Sequence, residues 1–186
     1  MSSKYYENLI QRVLDNSENT KWDIAVNEWY ILSCREDVQA SSKCVCGKEN
    51  LRYLFTIRNL INGNILFPIG SSCIEKFDRN DLKEQLSIYE QMFKLLHAVE
   101  ENKFITLDYF SRKLLLFLYN QGAFKPTVYN KLNPKNDYDF LLDMFNRRRK
   151  PTPQQEKKIR GIIFNSIIPF LRDKINQENL FALKNN

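Results

Sequence analysis

The chain has 186 residues, 43% hydrophobic, 13% aromatic and 27% charged, with only five glycines and six prolines, which places it among globular proteins and excludes a disordered or linker-rich chain. No apolar run approaches the roughly 20 residues a membrane-spanning helix needs, and the longest, at Leu114 to Leu118, belongs in a core. The net charge of +6 is unevenly held, since residues 1–101 carry 12 Lys and Arg against 15 Asp and Glu while residues 102–186 carry 16 against 7, an asymmetry that points to an anionic partner.

In chain order, Tyr6, Leu9, Ile10, Val13 and Leu14 fall at helical spacing, with Ser2 or Ser3 as the cap. The stretch from Trp22 to Leu32 is expected to be helical, although its aromatic and β-branched content also suits a strand. Trp22 and Trp29 would share one helix face there and are expected in the core rather than as a base-stacking platform. The polar run from Arg35 to Lys43 reads as the loop that brings Cys34 back towards the next segment.

The stretch from Cys44 to Phe77 organises the rest, holding three of the four cysteines and three of the five glycines. Cys44 and Cys46 flank one residue and are followed by Gly47, which lets the chain fold back with both sulfurs facing one point. Leu51, Tyr53, Phe55 and Ile57 alternate as in a half-buried strand. Asn62 and Gly63 supply a turn with positive φ, and Ile65 to Ile69 return, with Pro68 marking a sheet edge. Gly70, Ser71 and Ser72 then lead into a helix near Cys73.

Knuckle, hairpin and helix-borne thiol together predict a structural Zn²⁺ site of treble-clef or ribbon type, held by Cys34, Cys44, Cys46 and Cys73. Reduced cysteines buried as small apolar residues, and a disulfide, are the other two readings of the same thiols. CVCGK, a strand, IRNLINGN and IGSSCIEKF resemble a motif of small proteins carried by phages and other mobile elements. With Ala25, Glu28 and Trp29 upstream, the resemblance spans residues 25–77. It implies a mobile-element origin rather than a mechanism. The polar opening MSSKYYEN lacks an apolar leader, so the cytoplasm of a bacterial host is the expected compartment.

Further along, Leu82 to Val99 carry apolar residues at three- and four-residue steps, predicting a long amphipathic helix on which His97 is a helix-face residue rather than a catalytic one. The charge changes sign near Glu101, which suggests two regions, 1–101 binding zinc and 102–186 basic and helical. Thr106 is expected to cap a helix from Leu107 to Asn120, ended by Gly122. An ordered connection follows from Lys125 to Lys135, then a helix from Tyr138 to Arg149, closed by Pro151. Thr152, Pro153 and Gln155 read as N-cap, N1 and N3 of the last helix, with an expected kink at Pro169.

Arg147, Arg148, Arg149, Lys150, Lys157, Lys158 and Arg160 put seven cations within 14 residues, with Glu156 as the sole acidic residue among them. This basic corner is read as a contact for nucleic acid, a nucleoprotein or an acidic protein surface. The phosphate-binding loops, zinc-protease and serine-hydrolase signatures are absent from the sequence, and the single histidine excludes sites built on several.

The expected fold is α+β and mainly α, a small zinc-stabilised β-hairpin module followed by a helical C-terminal half. The expected function is that of a non-enzymatic zinc-binding protein that contacts nucleic acid or a nucleoprotein, with no membrane association. A second class suits the same features: a phage-encoded inhibitor of a host defence nuclease, of the anti-CRISPR type, whose partner would be a CRISPR effector.

Overall fold

The computed structural model describes residues 3–147 and 149–175, and they form a mixed α+β structure that is mainly helical. By internal contacts these residues divide into two compact units, 3–86 and 87–175. The boundary between Leu86 and Ser87 lies within a helix, upstream of the charge change at Glu101.

The first unit opens with α1, Lys4–Asp15, whose Ser3 hydroxyl accepts the Tyr6 amide and whose Leu9 and Val13 are buried. Trp22–Ala25 forms one helical turn and Val26–Glu28 a 3-10 turn, after which β1 runs over Trp29–Glu36. The helix expected across Trp22 to Leu32 is thus corrected to a short turn and a strand. Antiparallel pairing of Trp29 through Glu36 with a facing strand outweighs the local helical spacing, since strand formation is decided by neighbours more than by propensity. Both tryptophans do pack inward. Trp29 is fully buried with its indole N–H on Ser17 Oγ, while Trp22 meets Tyr6 and Phe77 edge-on.

β2, Tyr53–Asn59, and β3, Ile65–Ile69, complete an antiparallel sheet in the order β1-β2-β3. The turn between them has Gly63 at φ +76°, as the Asn-Gly pair requires. Cys34 is registered against Phe55, and Phe55 in turn against Ile69. Glu28 is buried beneath the sheet, where its carboxylate accepts from the amides of Glu18 and Asn19 and from the side chains of Asn19 and Asn59. These four donors hold its pKa near 2 in spite of burial, which acts in the opposite direction.

A single helical turn, Ser71–Ile74, follows β3, and α2 then spans Asn80–Glu100. In the second unit the helix expected to start at Thr106 is divided. Thr106 caps only the 3-10 turn Leu107–Tyr109, Phe110 is extended, and Ser111 caps α3, Arg112–Asn120, by accepting the Leu114 amide. Two competing caps five residues apart each start a helix of their own.

The connection that follows is built round Asn130, which is 1% exposed. Its side chain donates to the Lys125 carbonyl and to Asp137, and accepts from the Thr127 amide. α4 spans Pro134–Asn146, four residues earlier than expected at its start, because Asn133 caps it and Pro134 occupies the first helical position. It also ends earlier, with Arg147 already extended. α5, Pro153–Ile162, begins with the expected capping box of Thr152 and Gln155. A π-helical stretch, Ile163–Ile167, ends two residues before Pro169, the position of the expected kink, and the helix continues through Pro169 to residue 175. Pro169 lacks an N–H and crowds the preceding turn, which a wider turn accommodates.

Candidate metal centre and basic cleft

The path into the cysteine knuckle is set by Asp37. Its carboxylate accepts from the amides of Gln39, Ser41 and Ser42 and from both serine hydroxyls, folding the loop after β1 back on itself. A bridge between Ser42 and Leu51 closes the segment. Within the knuckle, the Gly47 amide donates to the Cys44 carbonyl at 2.8 Å, and Gly47 takes φ +98°, a value open to glycine. The Val45 amide donates to the Pro68 carbonyl on the free edge of β3, and Asn8 of α1 donates to the Cys46 carbonyl.

This arrangement brings Cys44 and Cys46 to Cys73. The Cys73 sulfur lies 3.4 Å from that of Cys46 and 3.6 Å from that of Cys44, and all three residues are buried. Such separations are far from the roughly 2.05 Å of a disulfide. They lie close to the edge of about 3.8 Å expected between thiolates set 2.3 Å from one tetrahedral metal ion. Backbone amides also point at sulfur: those of Cys46 and Gly70 at Cys44, and that of Lys48 at Cys46. A Cβ at Gly70 would sit 2.9 Å from Leu51 Cδ2, so a side chain there would displace the leucine that packs beside the knuckle.

The electrostatics follow from this contact. The hydrogen bond shared with Cys73 holds the Cys44 thiol well below its ordinary 9.0, outweighing burial. The same hydrogen bond, with burial, pushes Cys73 up, and burial pushes Cys46 up. The crowded sulfurs thus oppose one another's ionisation, and a soft cation is what would allow all three to ionise together. The donor set fits such an ion: three buried sulfurs within 4.8 Å of one another, with amide donors behind them.

Three of the four cysteines expected at the site, Cys44, Cys46 and Cys73, form this group, and Cys34 is not among them. The knuckle packs on the free edge of β3, and Cys34 lies on β1. Its sulfur lies 3.8 Å from the Arg35 carbonyl oxygen.

Of the predicted basic corner, Arg148 lies outside the described residues. Arg147, Arg149 and Lys150 follow the end of α4 rather than forming its last turn, and Lys157, Lys158 and Arg160 lie on α5. They are not equivalent. Lys158, itself exposed, has its ammonium 3.9 Å from buried Asp137 and 4.2 Å above the Phe140 ring, and Arg147 pairs with Asp143. Arg149, Lys150 and Lys157 are exposed. Arg147, Arg149, Lys150 and Arg160 line a cleft of about 620 Å³ within the second unit, together with Phe104 and the buried Met144 and Ile159. Phe104 escapes notice in the sequence; its only signal is a lone aromatic in the polar stretch ENKF.

Among the described residues no helix is long and apolar enough to cross a membrane. Comparison with protein-family models, curated proteins and solved structures finds no match for the chain. Fold and site thus define a mainly helical α+β protein with a buried three-cysteine cluster able to hold a metal ion.

Proposed function

We propose that this chain is a non-enzymatic zinc-binding protein of a phage or mobile element that engages nucleic acid or a nucleoprotein through its basic second unit. Cys44, Cys46 and Cys73 would hold Zn²⁺ as a structural ion, tying the knuckle to the edge of β3 and to the turn that carries Cys73. The observation that carries the nucleic-acid reading is the exposed corner between α4 and α5. Arg149, Lys150 and Lys157 stand there in solvent beside a concave surface, where phosphate neutralisation is available without breaking an internal ion pair.

A second reading, an inhibitor of a host defence nuclease acting by protein contact, draws on a different feature of the same unit. Val128, Tyr129 and Leu132 are 78%, 89% and 68% exposed on the capped turn, an apolar surface suited to a protein partner.

The test is elemental analysis of the purified chain combined with fluorescence anisotropy on labelled DNA and RNA. The expected result is one zinc per chain and binding at low salt that weakens steeply as salt rises. Inhibition of a CRISPR effector nuclease by a chain that binds no nucleic acid would favour the second reading and overturn the first.

A further inference from the structure

We infer that the cleft between the Phe104 segment and the α4–α5 corner seats an unpaired nucleotide, so that the second unit prefers single-stranded over duplex nucleic acid. This rests on the nucleic-acid reading above and adds which form of nucleic acid is taken.

Phe104 is 62% exposed, yet it is not on a loose end. The adjoining Ile105 is 2% exposed and Phe110 5%, so the segment is anchored in the core while one large ring is left in water. Arg160 lies over that ring, its guanidinium carbon 5.0 Å from the centroid. A cation on one face leaves the other as a flat, electron-rich surface, which is what a nucleobase stacks upon. The cleft's volume of about 620 Å³ falls within the range that accepts a small organic ligand, and a nucleotide is of that size.

The lining separates into two chemistries suited to the two parts of a nucleotide. Met144 and Ile159 give the cleft an apolar floor, while Arg149 and Lys150 lie at the same cleft as cations for phosphate. Lys157, one turn before Arg160 on α5, extends the positive charge to a neighbouring shallow hollow and gives the backbone a direction to follow. Two carboxylates, Asp108 and Glu156, also border the cleft. Asp108 is held by the Thr106 hydroxyl at 2.9 Å, and the cations outnumber the acids.

Strand preference follows from geometry. In a duplex the base faces are hidden in the stack, so a double helix can offer only its phosphates to the cations, whereas an unpaired base can leave the backbone and lie on Phe104.

The test is fluorescence anisotropy of the full chain with a labelled oligo-dT and with a duplex carrying the same number of phosphates, at one low salt concentration. The unaltered protein should bind the single strand more tightly. Phe104→Ala should weaken single-strand binding on the order of tenfold, the loss of one stacked base, and change duplex binding by no more than about twofold. Phe104→Trp should retain the preference, and the indole emission should be quenched by the oligonucleotide. Because the ring is largely in water, neither substitution removes core packing. Equal affinity for both forms, or equal losses on Phe104→Ala, would overturn the inference and leave the nucleic-acid reading standing. Absence of binding to either form would overturn both.

Discussion

The backbone amide of Val45 donates to the carbonyl of Pro68 at 2.9 Å, joining the cysteine knuckle to the outer edge of β3. Pro68 has no N–H to offer a further strand, but its carbonyl still needs a partner, and Val45 supplies one. Since Val45 lies between Cys44 and Cys46, this one bond sets both sulfurs beside the chain that leads through Gly70 to Cys73. It also decides which edge of the sheet the cysteine cluster occupies.

Replacing Cys44, Cys46 or Cys73 singly with Ser should leave zinc well below one per chain and lower the melting temperature. Cys34→Ser should retain a full equivalent of zinc, with a loss of about 1–3 kcal/mol because a hydroxyl replaces a buried thiol. Elemental analysis and thermal unfolding, each with and without a chelator, check both outcomes. Equal zinc loss in the Cys34 variant would put that residue back at the metal.

Glu28 should make the first unit sensitive to acid. Its folded pKa of about 2 is below the ordinary 4.5, so its contribution is complete above 4.5 and is lost as pH falls towards 2. Glu28→Gln should cost about 1–3 kcal/mol at neutral pH, since one amide oxygen replaces a carboxylate serving four donors. Urea unfolding at several pH values should show the two proteins converging below pH 4.5. A constant difference across that range would mean that the charge contributes nothing.

Asn130 holds three segments together from a position that is 1% exposed. Asn130→Ala should destabilise by about 2–3 kcal/mol, because it leaves the Lys125 carbonyl, the Thr127 amide and one Asp137 oxygen short of a partner. Denaturant unfolding measures this directly, and a cost below about 1 kcal/mol would indicate that water replaces the lost bonds.

Neutralising Arg149, Lys150 and Lys157 together should weaken binding to any nucleic-acid sequence alike. The slope of log affinity against log salt should fall by roughly 1 for each phosphate contact removed. Lys158→Gln should leave that slope unchanged, since Lys158 already faces Asp137 and Phe140. A change in slope for Lys158 alone would reassign the binding surface.

Much of the local structure was legible because it depends on neighbours in sequence. The Asn62-Gly63 turn needs positive φ, Pro153 behind Thr152 starts a helix, and the apolar steps from Leu82 to Val99 make one long amphipathic face. The stretch at Trp29 was misread because its residues suit helix and strand alike, and only the pairing of Trp29 with Asn59 across the sheet decides between them. Phe104 went unnoticed for a related reason. A lone aromatic in a polar segment shows its place only when Arg160, 56 positions later, lies over it.

By itself the sequence determined that clustered thiols, a glycine knuckle and a hairpin belong together, with four cysteines as candidates, and that positive charge gathers in the second half. Those features follow from composition and short-range spacing. Which three of the four cysteines meet was decided only in three dimensions. Cys44 and Cys46 reach Cys73 because the Val45 amide bonds the Pro68 carbonyl and the turn after β3 carries Cys73, and such hydrogen bonds and burial join residues far apart in the chain.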